Sequence, residues 1–318
     1  MLSSTADHLF WMARYTERAE NTARMLDIHL QSSLLAGGRS DHERSEAARA
    51  MLLISELEPN FHAVHTTLDS DTVLRYMVTD SSNSSSIYNA LYSARENARA
   101  VRGAITTELW ETINVTWLEL QDRLINDAWT LDMPAFFEWV KYRAHLTRGV
   151  TAGTMPRDDA YRFVALGTAL ERADNVARLL DVKFFDSAAG AVENWDAMVE
   201  RGEYYHWAAI LRSVSGFEIY RKTYRDTITP ARVAELLILR ADMPRSLLAA
   251  MNALCNQLSK LANKQSAATQ RQAGLLQAQI QFASIDDILQ QGLHAYLTQF
   301  LDRINRIGAG ISADFLAT

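Results

Sequence analysis

A twelve-residue phrase that occurs twice restricts the fold of this chain more than any other feature. The first copy runs from Glu17 to Ile28, and the second runs from Glu171 to Val182. The copies lie 154 residues apart and align without a gap, and eight of their twelve positions are identical. Agreement at this level indicates an internal duplication, with one copy of the phrase in each half of the chain.

Plotted on an α-helix, each copy separates into a polar stripe and an apolar face. Ala residues four positions apart on the apolar face allow another helix to approach closely. The polar stripe of the first copy comprises Arg14, Glu17, Glu20, Asn21 and Arg24, with Arg18 beside it; that of the second comprises Glu171, Asp174, Asn175 and Arg178, with Arg172 beside it.

Three interpretations of these stripes remain open. They form a buried Arg–Glu network between the two copies, they bind an anionic or amide-bearing ligand, or they are solvated faces. A solvated face is stabilised only by local ion pairs of about 0.2–0.5 kcal/mol each. Recurrence of Arg rather than Lys favours the first two interpretations, because the planar guanidinium pairs with carboxylates through two hydrogen bonds.

A metal site is a fourth possibility, and the sequence argues against it. The carboxylates of Glu17 and Glu20 are three residues apart, but di-metal bundles also use Glu-x-x-His on two helices, and neither copy of the phrase contains His. His62 and His65 are also three apart, without a nearby third ligand, and are interpreted as a surface pair. We therefore predict no metal and no cofactor.

The remaining sequence predicts an all-α protein of about ten helices in two pseudo-repeated halves. Helical periodicity recurs throughout, and no alternation long enough for a sheet is present. The first helix is expected from Ser4 to Leu35, ending at Gly37-Gly38. Residues Gly149–Arg157 contain two Gly and one Pro, which places a boundary between halves 1–150 and 151–318 of one continuous domain.

Charge and composition exclude several classes of function. The net charge of −6 does not fit a nucleic-acid-binding surface. No stretch approaches 18 apolar residues, so no membrane span is predicted. No signal peptide is recognised, and a cytoplasmic location is expected. Cys255 is the single cysteine and lies in an apolar run typical of a core position.

A second polar set follows the serine-rich segment 80–86, which offers several N-caps for the next helix. Arg95, Asn97 and Arg99, with Arg102, lie on that helix. They are interpreted either as a phosphate or carboxylate site near a helix start or as an ordinary charged face. No nucleotide-binding loop, metalloprotease motif or nucleophile elbow is present, which makes an enzyme less expected than a binding protein.

The chain resembles the Alpha-E family, bacterial all-helical proteins with a Glu-Arg motif. The resemblance rests on both Glu-Arg phrases and on segments 10–15, 86–99, 108–114, 166–172 and 244–246. Ser84 departs from the family pattern, where Pro is expected. The resemblance implies that the protein is encoded beside, and works with, a circularly permuted ATP-grasp ligase, a transglutaminase-like peptidase and sometimes a proteasome-like hydrolase.

These neighbours imply a non-catalytic accessory protein of a peptide ligation, tagging or processing system. An amidoligase or other peptide-bond-modifying enzyme, with Glu17 or Glu171 as general base, and a purely structural or oligomerising bundle are the alternatives. A protein partner and a peptide or carboxylate ligand are expected. The candidate binding residues are Arg14, Glu17, Arg18, Asn21, Arg24, Arg95, Asn97, Arg99, Glu171, Arg172, Asn175 and Arg178.

Overall fold

The structure, a computed structural model, describes residues 1–35, 41–188 and 204–316. Fifteen α-helices and one 3₁₀-helix form these segments, and no strand occurs in them. The all-α prediction is therefore confirmed, whereas the predicted number of about ten helices was too low. None of the described helices is long and apolar enough to cross a membrane.

The chain divides into two compact units, Met1–Thr168 and Ala169–Leu316. The division falls inside one long helix, α8, so the predicted boundary at residues 150/151 lies within the first unit. The assignment of halves 1–150 and 151–318 stays a prediction.

The helices of the first unit include three long ones, at its start, middle and end. The elements are α1 (Ser3–Leu35), α2 (Asp41–Ile54), α3 (Glu58–Val64), α4 (Ser70–Val78), α5 (Ile87–Ala100), α6 (Thr107–Leu124), a 3₁₀-helix (Ile125–Thr130), α7 (Met133–Thr154) and α8 (Asp159–Ala188), which continues into the second unit.

The second unit ends on another long helix. After α8 it contains α9 (Tyr204–Ser213), α10 (Phe217–Tyr224), α11 (Pro230–Leu239), α12 (Leu247–Lys260), α13 (Ala267–Gln281), α14 (Ile285–Gln291) and α15 (Leu293–Phe315).

Local sequence signals account for most helix boundaries. The first helix was predicted to within one residue, although the proposed stop at Gly37-Gly38 lies outside the described residues. Ser86 caps α5 by accepting a hydrogen bond from the amide of Asn89. The cap-plus-proline pattern of Asp242-Met243-Pro244 predicts a helix start at these residues. This prediction is wrong, because the three residues form a turn and Ser246 caps the helix that follows. Short helices joined by tight turns explain the underestimated helix count.

Helix α1 is the central element of the first unit, and α5 and α7 both pack against it. Its apolar side chains Leu9, Phe10, Met12 and Leu26 are at most 1% exposed. Several polar side chains of α1, among them Glu17 and Glu20, are buried as well. Buried polar side chains of this kind need hydrogen-bond partners on neighbouring elements.

The first turns of α8 approach α1 closely at Gly167. A Cβ atom built there would overlap the carbonyl oxygen of Phe10 and lie 3.3 Å from the Cβ atom of Ala13. Because the obstructing atom belongs to a helix backbone, it cannot rotate away. Gly149, in the interior of α7, has open space around the corresponding position.

We expect Gly167→Ala to destabilise the protein by about 2 kcal/mol, since overpacking of a tight contact costs about 1–3 kcal/mol. The matched change Gly149→Ala should stabilise it by about 0.5–1 kcal/mol through helix propensity. Urea unfolding of both variants measures the difference. Equal effects of the two substitutions would contradict the close approach of α8 to α1.

Candidate functional site

Three of the five residues in the polar stripe of α1 are buried, as is Asp27 beyond it. Glu17 is 1% exposed, Glu20 is fully buried, and Arg24 and Asp27 are 7% and 4% exposed. A solvated face is therefore wrong for the first copy of the phrase. Buried ionised groups are retained in proteins only when opposite charges and hydrogen bonds compensate their loss of water.

Helix α7 supplies compensating groups for the two glutamates. Arg148 Nη1 donates to Glu17 Oε2 at 3.0 Å and also contacts Glu20 Oε2. Arg24, one turn along α1, places Nη2 2.7 Å from Glu20 Oε1. His145 Nε2 lies 3.2 Å from Glu20 Oε1 and 3.0 Å from Arg24 Nη2.

The same contact pattern continues one turn further at Asp27. Lys141 Nζ donates to Asp27 Oδ2 at 2.7 Å and also contacts the exposed carboxylate of Glu138. Gln31 donates to the other oxygen of Asp27 at 3.1 Å. Both oxygens of this buried carboxylate therefore have a partner.

Together these groups form a charged seam, defined as Glu17, Glu20, Arg24 and Asp27 of α1 with Lys141, His145 and Arg148 of α7. On α1 the residues are spaced by three, four and three positions, and on α7 by four and three. This is the spacing of an antiparallel helix contact. Three carboxylates face three permanently basic groups, so the seam is electrically balanced when His145 is neutral.

The second copy of the phrase has a different environment. Arg178 holds both oxygens of Asp174, at 2.7 and 2.9 Å, within α8 itself. Asn175 donates to the carbonyl of Glu171 at 2.9 Å, and His294 of α15 lies 2.6 Å from Asp181. The buried face of α15 is otherwise apolar, formed by Leu293, Leu297, Phe300, Ile304, Ile307 and Ile311.

The two residues of each Glu-Arg pair have different environments. Glu17 and Glu171 are 1% and 2% exposed, whereas Arg18 and Arg172 are partly exposed. The guanidinium of Arg18 lies over the ring of Tyr15 at 5.5 Å from its centroid. The glutamate is therefore an interior residue in both copies, and the arginine reaches the surface.

The other predicted residues of α1 are spread along it. Arg14 stacks over the ring of Trp11 at 4.7 Å, and Asn21 is partly buried. Arg24 and Arg178, which were expected to hold carboxylates of a ligand, hold those of Glu20 and Asp174. The observed carboxylate partners of both arginines are thus internal.

The predicted residues of α5 are brought together with neighbouring helices, but not with the serine-rich helix start. Arg95 donates to Asn114 of α6 at 3.0 Å, and Asn97 accepts from His8 of α1 at 2.8 Å. Arg99 pairs with Glu96. Arg95 is nine residues beyond Ser86, or about 13 Å along the helix, too far to share an anion with the backbone amides at the helix start.

Sequence reasoning missed the basic residues of α7. Lys141, His145 and Arg148 are separated from the first motif by more than a hundred residues. Their spacing of four and three is the reverse of the three and four that separate Glu17, Glu20 and Arg24 on α1, and this was the available signal. It is a weak one, because basic residues at helical spacing are common on solvated faces.

Two other potentially reactive groups, the Cys255 thiol and the His65–Asp80 pair, have surroundings typical of structural residues. Burial raises the pKa of the Cys255 thiol to about 11, so it is protonated at neutral pH. His65 lies 3.0 Å from Asp80; burial alone would raise the pKa of Asp80, but hydrogen bonds from Ser82 and His65 hold it below its usual value. In the described segments, no three His, Cys, Asp or Glu side chains are arranged to hold a metal.

The chain belongs to the Alpha-E family, described as a predicted alpha-helical domain with a conserved ER motif. The match covers residues 1–316, and it confirms the resemblance seen in the two Glu-Arg phrases. The buried-glutamate, surface-arginine arrangement is therefore the local structure of this family's defining motif in the present chain.

Two mycobacterial proteins are similar over nearly the whole chain. They are the uncharacterized proteins Mb2597 of Mycobacterium bovis and MT2643 of Mycobacterium tuberculosis, each 22% identical over 316 residues. The match covers 93% of this chain and 34% of each relative, so the chain spans about a third of their length. No solved structure matches the chain.

We expect Arg148→Met to destabilise the protein by about 3 kcal/mol, because it removes the guanidinium that contacts both buried carboxylates, Glu17 and Glu20, from across the helix contact. Arg75→Met is the matched control, since Arg75 and Asp127 form a pair in which both side chains are 53% exposed. It should cost less than about 1 kcal/mol. Urea unfolding of both variants gives the comparison, and equal costs would show that the charged seam has no special role in stability.

Proposed function

We propose that this chain is a non-catalytic helical binding protein that works with an ATP-grasp ligase in peptide ligation, tagging or processing. The observation that carries the proposal is the difference in exposure between the glutamate and the arginine of each Glu-Arg pair. The glutamate is buried, and the partly exposed arginine offers a planar cation to a partner's carboxylate. The partner class itself follows from the family resemblance.

The environment of Glu17 favours binding over catalysis. A general base must come within hydrogen-bond distance of the proton that it removes. Glu17 is almost completely buried, and its Oε2 accepts from Arg148. Glu171 is equally inaccessible, at 2% exposure. Both glutamates proposed for an amidoligase are thus turned away from solvent and substrate.

The length of the relatives also supports an accessory role. In both mycobacterial proteins, the matched segment is one third of a longer chain, so a domain of this kind is covalently joined there to other sequence. We infer that the present chain likewise acts beside another protein. An ATP-grasp ligase is the first candidate, and a transglutaminase-like peptidase or a proteasome-like hydrolase is the next.

We further infer that the chain contains two pseudo-repeated halves. Glu56 and Ser215 both adopt left-handed conformations, with φ of 53° and 55°. In each case the next residue's amide donates to a carbonyl five positions earlier. Ser86 and Ser246 both cap a helix after a pair of three-residue turns. The left-handed residue and the serine cap are 30 residues apart in one half and 31 in the other, and these similar turns support duplication beyond the twelve-residue phrase.

Co-purification of the chain with the ATP-grasp ligase of the same host tests the proposed function. We expect wild type to bind the ligase and the double variant Arg18→Ala/Arg172→Ala to bind at least tenfold more weakly. The ligase would then lose two charge-assisted contacts. Arg75→Ala, which removes an exposed arginine outside both motifs, should bind as wild type does.

Two results would contradict this proposal. Equal ligase binding by wild type and the double variant would place the partner on another surface. Turnover of a peptide substrate by the purified chain alone, lost in Glu17→Gln, would favour the amidoligase. Circular dichroism and thermal unfolding of each variant separate loss of binding from loss of fold.

The charged seam favours a second candidate, a purely structural bundle. If the seam only determines how α1 and α7 pair, apolar replacement of its members by residues of similar volume should be tolerated. A quadruple variant, Glu17→Met/Glu20→Leu/Arg24→Met/Arg148→Met, removes two acidic and two basic groups together, and should then fold and retain whatever the wild type binds. Loss of ligase binding in a folded quadruple variant would assign the seam a direct part in recognition.

A further inference from the structure

An open groove lies between α13 and α15 in the second unit. Its volume is about 260 Å³, which is below the range of about 300–1,000 Å³ typical of sites for drug-sized ligands. A space of this size accommodates one side chain and its adjoining backbone. It is too small for a partner helix.

The floor of the groove is apolar. Leu276 and Ile307, which are 4% and 1% exposed, form its base, and Leu275 at the rim is 60% exposed. Phe282, 82% exposed, lies seven residues beyond Leu275 on the same side of α13, or about 10 Å away. Exposed large apolar side chains beside a concave apolar floor are typical of ligand or partner sites.

The wall supplied by α15 is cationic. Arg303 and Arg306 lie one turn apart, and Arg303 also contacts the side-chain oxygen of Gln279 across the groove. Arg306 makes no hydrogen bond or ion pair with any residue that the structure describes. The lining contains no carboxylate, so a negatively charged ligand would meet two guanidinium groups and no opposing charge.

We propose that this groove binds the carboxyl-terminal residue of a peptide whose last side chain is apolar. The terminal carboxylate pairs with Arg306 and Arg303, and the last side chain packs on Leu276 and Ile307. Gln272, on the opposite wall, lies where it can hydrogen-bond the final peptide group. This inference rests on the proposed function and names the substrate class, since peptide ligation acts on chain ends.

The combination of apolar floor and paired arginines selects this ligand over others. Inorganic phosphate would satisfy the arginines but not the buried leucine and isoleucine. A neutral apolar side chain would fill the floor but leave the guanidinium groups unused. A chain terminus brings both groups within one residue of each other, in a space sized for one residue.

Fluorescence anisotropy with labelled hexapeptides tests the proposal. The probes are a peptide ending in Leu with a free carboxylate, the same peptide with a terminal amide, and one ending in Gly with a free carboxylate. The first should bind at least tenfold more tightly than either of the others. The amide probe removes the charge, and the Gly probe removes the apolar contact.

Variants connect this preference to the groove. Arg306→Ala should weaken binding of the Leu-terminated carboxylate at least tenfold, whereas Arg271→Ala, an exposed arginine of α13 outside the lining, should leave it unchanged. The proposal is overturned if the Leu probe does not bind, if the amide binds equally well, or if the two arginine variants lose affinity equally.

The peptide-binding proposal for the groove and the proposed function with a ligase can be disproved independently of each other. Arg306→Ala is expected to retain the ATP-grasp ligase in the co-purification assay, because neither Arg18 nor Arg172 lines the groove. Peptide binding without ligase binding would overturn the proposed function and support the groove. Ligase binding without any binding of the Leu-terminated probe would support the function and overturn the groove.

Discussion

The first unit depends on the burial of charge along the α1–α7 contact. Three carboxylates without solvent access would each cost several kcal/mol if left unpaired. Each is therefore tied to a basic group of α7 or, for Glu20, to Arg24 as well. Because every pairing requires the same antiparallel register, a shift of one turn would leave buried charges unmatched. The main effect of the seam is thus to determine the register in which the two helices align, and its net contribution to stability is smaller.

The two copies of the motif show how one local sequence serves different surroundings. In α1 the acidic stripe meets a basic helix, and its partners come from across the contact. In α8 the facing helix α15 is apolar on its buried side, and Arg178 instead pairs with Asp174 on the same helix. What the copies share is the buried glutamate followed directly by an arginine that reaches the surface.

The parts of the fold governed by neighbouring residues were predictable from sequence. Helix α1 and the cap at Ser86 follow from apolar spacing and side-chain hydrogen bonding within a few residues. The start after Asp242 was mispredicted because a proline in a turn and a proline in a first helical turn look alike. The contribution of Arg148 was missed because its contact with Glu17 spans 131 positions and no local signal encodes it.

The same reasoning separates the family motif's role in folding from its role in function. The glutamate is buried in both copies, and Glu17 is also hydrogen-bonded to the distant helix α7, so a place in the interior accounts for these two residues without a ligand. The arginine that directly follows each glutamate is partly exposed, at the edge of the buried region. We propose that Arg18 and Arg172 serve in the recognition of an external carboxylate, which a planar guanidinium can hold through two hydrogen bonds. The search for a partner should accordingly begin at these two guanidinium groups, not at the carboxylates beside them.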